Sequence, residues 1–412
     1  MSILSPESCR SEATSSPHPK ATGAPAPDSV PSRLRALVPD TADRQVLWLY
    51  VLTRVGIWIT AYCTRWVFPA DGDTRDPGPV LRPFQHWDWV HYLHIARDGY
   101  FPDGTGPRQA DWDNREAFFP GFPLALRAVH TVVPDWTAAG LLISFVAGAV
   151  AVVALARIAR LHLPEAAAGR RAVMFLLLSP CAVFLAVGYT EALFLALALP
   201  AWLAAQRHRW PPAAVLTALA TTVRISGLFV AAAIALHFLL SVRGRRDLRP
   251  LPWLALPALP AAAYVWFLHA HTGDWAAWTH AQARGWYRTF HAPWEAWSHT
   301  WDSAFHQAHP TGYAFMFQAE LLAMLTGLVL LGWLVRQRRW PEAVYIGLTL
   351  WALGTSYWYM SIPRATLLWW PLWTALASWS RRRPAVTTLY LCLAVPLTTV
   401  FALAYMSGRW AG

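Results

Sequence analysis

Apolar runs approaching or reaching the length of a membrane crossing recur along almost the whole chain, and every second gap between them is rich in arginine. A helix needs about 20 predominantly apolar residues to cross the hydrocarbon core. The pattern predicts spans at 46–68, 136–156, 172–187, 192–205, 213–223, 225–240, 251–268, 312–335, 343–359, 365–379 and 385–405. About eleven crossings result, and with them an all-α polytopic membrane protein. Composition excludes the soluble alternative, because 56% hydrophobic and 14% charged residues do not describe a water-facing surface.

The charge pattern gives an orientation. Cytoplasmic loops carry the Lys/Arg excess, and alternate gaps hold Arg157, Arg160, Arg170 and Arg171, then Arg207 and Arg209, then Arg243, Arg245, Arg246 and Arg249, then Arg336, Arg338 and Arg339, then Arg381 to Arg383. The net charge of +11 is thereby assigned to cytoplasmic loops, and a nucleic-acid partner is not expected. Residues 1–44 are rich in Ser, Pro and Ala without an apolar signal core, and read as a disordered cytoplasmic tail. Residues 45–406 then form the membrane domain, with a long first external loop at 69–135, a Trp- and His-rich external segment at 269–311, and an external tail at 407–412. Within the first loop, 117–133 is apolar and punctuated by proline, and is expected to lie along the membrane or dip into it. Cys9, Cys63, Cys181 and Cys392 are scattered, three of them inside apolar runs, so neither a disulfide framework nor a thiolate metal site is expected.

Residues 84–100 read FQHWDWVHYLHIARDGY. On a helix, Asp88, His91, Tyr92 and Ile95 share one face, so a carboxylate stands beside an imidazole and a phenol. The plain alternative is an interfacial helix anchored by Trp87, Trp89, Tyr92 and Tyr100. Three further ionisable residues break otherwise uncharged runs: Glu191 in GYTEALF, Arg224 in TTVRISG and Arg364 in SIPRATLLWW. Ionisable residues in or beside membrane spans face a bundle interior or an aqueous cavity and mark function by default, although buried ion pairs that merely hold helices together also occur. Under the charge-derived topology, Asp88, Glu191, Arg224 and Arg364 all emerge on the external side. A carboxylate with two guanidiniums there suits chemistry on an anionic, lipid-borne substrate, because arginine binds phosphate bidentately and keeps its charge. Asp88 is the expected base. Phosphate leaves as a stable anion, so one base suffices where a poor alkoxide leaving group would need an acid as well. Glu191 is expected to orient Tyr189, an arginine or the acceptor, with a milder loss on neutralisation than Asp88. The cytoplasmic loops are too short for a nucleotide-binding domain and carry no Gly-rich phosphate fingerprint.

The ordered blocks HWDWVHYLHIARDGY, AFFPGFPLALR, SPCAVFLAVGYTEALFLALAL, TTVRISGLF and SIPRATLLWWPLW resemble the PIG-V mannosyltransferase family in its actinobacterial branch, over about 46–373. The resemblance implies a GT-C fold and an inverting, membrane-embedded glycosyltransferase that uses a polyprenyl-phosphate mannose donor. It places the catalytic aspartate at Asp88, with His86, Trp87, His91, Tyr92, Phe119, Tyr189, Glu191, Arg224 and Arg364 as substrate-binding candidates. His86, Asp88, His91 and His94 have spacings that suit a divalent ion, but the resemblance implies metal-independent chemistry, and no cofactor is expected. The chain departs from the family where HYLHIA stands in place of WYxxIA, so His91 replaces an aromatic and the acceptor site differs. The expected acceptor is an extracytoplasmic lipid, glycan or protein. A transporter or lipid flippase using the same charged residues is the rival reading, although transport sites lie near the midplane and often accompany internal repeats, which this chain lacks.

Overall fold

The computed structural model describes residues 40–68, 78–102, 105–109, 112–163 and 165–412, and among these no strand occurs. The helices are α1 Thr41–Val67, α2 Asp88–Asp98, α3 Gly121–His130, α4 Trp136–His162, α5 Ala166–Leu177, α6 Thr190–Gln206, α7 Trp210–Val223, α8 Gly227–Ser241, α9 Ala258–Thr272, α10 Ala277–Trp286, α11 Pro293–Phe305, α12 Thr311–Arg336, α13 Trp340–Gly354, the single turn α14 Ile362–Ala365, α15 Trp370–Arg382 and α16 Ala385–Met406. Residues 1–39, most of the expected tail, lie outside the described residues, and helix α1 already begins at Thr41 rather than after residue 44.

Among the described residues, five stretches are long and apolar enough to cross a membrane: Thr41–Val67, Trp136–His162, Arg245–Thr272, Thr311–Arg336 and Ala385–Met406. Their outward faces are apolar at helical spacing, which is the inverse of a soluble helix. On α1 the exposed stripe is Trp48, Leu52, Val55, Ile59, Tyr62 and Trp66; on α12 it is Leu322, Leu325 and Val329; on α16 it includes Leu389, Leu393 and Val400. Other expected spans are shorter or broken. Helix α7 has 14 residues and α8 has 15, which at a rise of about 1.5 Å each falls short of a hydrocarbon core of about 30 Å. The span expected at 172–187 stops at Leu177, where Pro180 follows and the chain continues as a 3-10 turn at Ala182–Leu185. That expected at 365–379 is split between a 3-10 turn at Thr366–Leu368 and α15, which begins one residue before Pro371.

Two packing features place the aromatic stretch. Asp43, fully buried near the start of α1, accepts ion-paired hydrogen bonds from Arg157 at 2.7 Å and Arg160 at 2.5 Å near the end of α4. Those arginines belong to the first basic cluster, so part of that cluster ties two spans together. At the other end of α4, Trp89 is clasped between Gly140 of α4 and Gly188 just ahead of α6: a Cβ at Gly140 would come within 2.5 Å of the indole, and one at Gly188 within 2.6 Å. Trp89 is 1% exposed. The two missing side chains thus make the slot that seats helix α2, and Asp88 is its first residue. Trp87 before it takes φ 55 and ψ −124, a backbone conformation that a bulky residue adopts only when its surroundings hold it there.

Candidate active site

Four ionisable residues from distant parts of the chain meet in one chain of ion pairs. Asp88 Oδ2 accepts from Arg364 Nη1 at 2.6 Å, and Arg364 Nε donates to Glu191 Oε1 at 2.5 Å. The same Glu191 oxygen accepts from Arg224 Nη1 at 2.7 Å, and that nitrogen also donates to Thr190 Oγ1 at 2.6 Å. Each residue sits where a helix starts or fails. Asp88 opens α2, Glu191 lies in the first turn of α6, Arg224 occupies the extended break between α7 and α8, and Arg364 lies in the α14 turn. That turn starts at Ser361, in the left-handed region at φ 68, and the fully buried Glu320 of α12 holds it by accepting the amides of Ser361 at 2.6 Å and Ile362 at 2.8 Å. The Arg364 guanidinium lies 4.8 Å from the Phe184 ring centre and 4.7 Å from that of Tyr189, so aromatic faces fix its plane.

These groups border a cavity of about 630 Å³, within the range of about 300–1,000 Å³ usual for ligand pockets. Of the residues singled out in the sequence, Trp87, Asp88, His91, Tyr92, Phe119, Tyr189, Arg224 and Arg364 line it. Glu191 and His86 do not. Glu191 is fully buried behind the two arginines, and His86 faces Tyr405 and Gly408 while its carbonyl accepts from the Tyr189 hydroxyl at 2.7 Å. Both thus stand off the cavity wall, Glu191 with Oε1 shared between the two arginines and Oε2 buried without a hydrogen-bond partner among the described residues. His86, Asp88, His91 and His94 do not converge either, and among the described residues no three His, Cys, Asp or Glu side chains are grouped to hold a metal. His94 instead pairs with Asp113 at 2.9 Å.

Asp88 has one oxygen on Arg364 and, among the described residues, no protein partner on the other, with 19% of its side chain exposed. Burial raises its pKa, but the charge and hydrogen bond of Arg364, with His91 and Arg224, outweigh it and hold the carboxyl below its ordinary value of 3.8. It is therefore ionised at neutral pH. Burial lowers the pKa of His91 against the pull of Asp88 and Asp113, which leaves the imidazole neutral there. The ring stacks on Phe118 at 4.7 Å, and its Nδ1 is buried without a hydrogen-bond partner among the described residues.

The Trp- and His-rich segment also lines the cavity, contributing Trp278, Gln282, Trp286 and Arg288. It docks on the 3-10 turn Arg115–Ala117: Arg284 pairs with the buried Glu116 at 2.6 Å, and Trp278 and Gln282 both donate to the Ala117 carbonyl. Sequence reasoning missed Arg288, whose only signal is a lone arginine in GWYRTFH, and Glu320, whose signal is a single acid in the apolar run of α12. Residues 407–412 are expected from the sequence as an external tail. In the structure Trp410, Ala411 and Gly412 line the cavity, Trp410 packs on Phe317 and Tyr313, and the Trp87 indole donates to the Arg409 carbonyl at 3.1 Å.

Residues 79–242 match the family described as Mannosyltransferase (PIG-V). The chain is 35% identical over 161 residues to GPI alpha-1,6-mannosyltransferase 2 of Homo sapiens, covering 36% of this chain and 30% of that one. It is 31% identical over 218 residues to the Mus musculus protein of the same name, covering 49% and 41%. The chain thus matches well under half the length of these curated relatives. The family match includes Asp88, Glu191 and Arg224 and stops short of Arg288 and Arg364.

Proposed function

We propose that this chain, whose residues 79–242 match the PIG-V mannosyltransferase family, transfers a mannosyl residue from a polyprenyl-phosphate donor to a lipid, glycan or protein acceptor, with inversion at the anomeric carbon. The observation that carries the reading is the Asp88 carboxylate on the cavity wall, ionised, with one oxygen tied to Arg364 and the other without a partner among the described residues. In the proposed step the acceptor hydroxyl oxygen attacks the anomeric carbon while Asp88 takes the hydroxyl proton. The carbon–oxygen bond to the phosphate breaks and its electron pair leaves with the polyprenyl phosphate. Arg224 keeps Nε and Nη2, and Arg364 keeps Nη2, beyond the nitrogens spent on Glu191, Thr190 and Asp88, and these supply donors for the departing phosphate. Trp87, Tyr92, Phe119 and Tyr189 offer aromatic surface to the sugar and the first prenyl units, and His91 offers an imidazole nitrogen to a sugar hydroxyl.

The same proposal extends to the frame: a GT-C bundle in which the shorter apolar helices also cross, about eleven in all, with the cavity on the extracytoplasmic face and 69–135 and 269–311 above the membrane. The test is to reconstitute the protein in lipid with labelled polyprenyl-phosphate mannose and an extract of membrane lipids, and to determine the anomeric configuration of the labelled product. Transfer with inversion supports the proposal. Retained configuration, or uptake of intact donor into sealed vesicles without transfer, contradicts it.

A further inference from the structure

We propose that Arg288 is the principal anchor for the donor phosphate, an inference that rests on the mannosyl-phosphate reading above and names the residue that does the gripping. The cavity holds three guanidiniums, and two are already engaged: Arg224 binds Glu191 and Thr190, and Arg364 binds Glu191 and Asp88. Arg288 also lines the cavity, yet among the described residues its side chain makes no ion pair or hydrogen bond. An arginine left half-buried beside two others is unfavourable unless an anion joins them. Burial and the nearby Arg224 push its pKa down to about 10, with Asp88 opposing and Arg364 adding to the depression. It remains charged at neutral pH, and among the described residues no carboxylate pairs with it.

Its placement is built rather than incidental. Arg288 follows Tyr287, which ends α10 in the left-handed region at φ 53, and the short segment is pinned on both sides of it: the Tyr357 amide donates to the Tyr287 carbonyl at 3.3 Å, and the His291 amide donates to the Thr355 carbonyl at 2.8 Å. Both pins lie on the strand of chain that leads into Ser361 and Arg364. The backbone that carries Arg288 is thus tied to the chain leading to Arg364, and its guanidinium lines the same cavity as Asp88 and Arg364. A phosphate between them would meet Arg288 with its full fork and leave the hold of Arg364 on Asp88 intact.

The test uses polyprenyl phosphate, the reaction's other product, as the probe, with polyprenol as the uncharged control, binding to the protein in lipid nanodiscs. Losing a charge-assisted contact of this kind costs about 10- to 100-fold in affinity. Arg288→Gln should weaken polyprenyl phosphate by that factor and leave polyprenol unchanged, and Arg288→Lys should recover part of the loss. Melting temperatures of both variants separate a lost contact from a lost fold, and Asp88→Asn should bind the probe at least as tightly as wild type. Equal affinity of Arg288→Gln and wild type for polyprenyl phosphate would overturn the assignment alone. No binding to the wild type would overturn the mannosyl-phosphate reading and this inference with it.

Discussion

Arg364 is the residue on which the site turns, since one guanidinium holds Asp88 through Nη1 and Glu191 through Nε. Lysine keeps the charge but cannot bridge two carboxylates with fixed geometry, so Arg364→Lys should lower kcat by about 10- to 100-fold, measured as initial rates of mannosyl transfer at saturating donor. Glu191→Gln is expected to act on stability first. Its buried carboxylate is the counter-charge to two arginines, and removing one partner of such a group costs about 3–5 kcal/mol; thermal unfolding in detergent would read the loss. The milder loss of turnover expected from the sequence is a separate quantity, and what the sequence does not show is that Glu191 is shared between two arginines. The pH dependence follows from the direction of the Asp88 shift. A carboxyl depressed below 3.8 contributes stability that is present above the unfolded value and lost as pH falls through the folded one. The kcat/KM profile should therefore show no acid limb from Asp88 between about pH 5.5 and about pH 8, whereas a limb there would mean that a group other than Asp88 titrates. Asp88, Arg224 and Arg364 were legible because each is an ionisable group in an apolar or aromatic run. Arg288 was not, because its surroundings in 269–311 are already polar and aromatic, and only folding shows that the other two arginines are ion-paired while, among the described residues, it is not.

At the scale of elements, the site is assembled from helix starts and helix breaks, and its precision comes from close backbone approach. Gly140 and Gly188 form the slot for Trp89, so Gly188→Ala forces the indole, the backbone or both to move, at about 1–3 kcal/mol for overpacking. Because α2 carries Asp88, the variant should lose transfer activity beyond its loss of stability, a comparison made with rates measured well below its unfolding midpoint. The aromatic stretch was readable as a helix with Asp88, His91 and Tyr92 on one face, and all three line the cavity. Pairing across elements was not readable. Nothing in GWYRTFH or REAFFP announces that Arg284 meets Glu116, and the chain after Tyr405 gave no sign that it lines the cavity. Span boundaries were legible where apolar runs exceed about 20 residues and less so where proline or arginine cuts them, as at Pro180 and Arg224.

For the whole molecule, the outward apolar stripes of α1, α12 and α16 describe a body made for lipid, and the proposed orientation puts the cavity outside. With native cysteines replaced, a cysteine at Gln109 should react with a membrane-impermeant maleimide in intact cells, and one at Arg245 only after permeabilisation; the reverse pattern would invert the topology and remove the lipid-linked donor from reach of the cavity. The central claim is that Asp88 removes the acceptor proton during mannosyl transfer, and its most direct measurement is the single-turnover rate of product formation by Asp88→Asn with labelled polyprenyl-phosphate mannose. The substitution is nearly isosteric and cannot take the proton, so the rate should fall by about 10²- to 10⁴-fold while polyprenyl phosphate still binds. A rate near wild type, with Glu191→Gln folded but inactive, would contradict the account and move the base to Glu191.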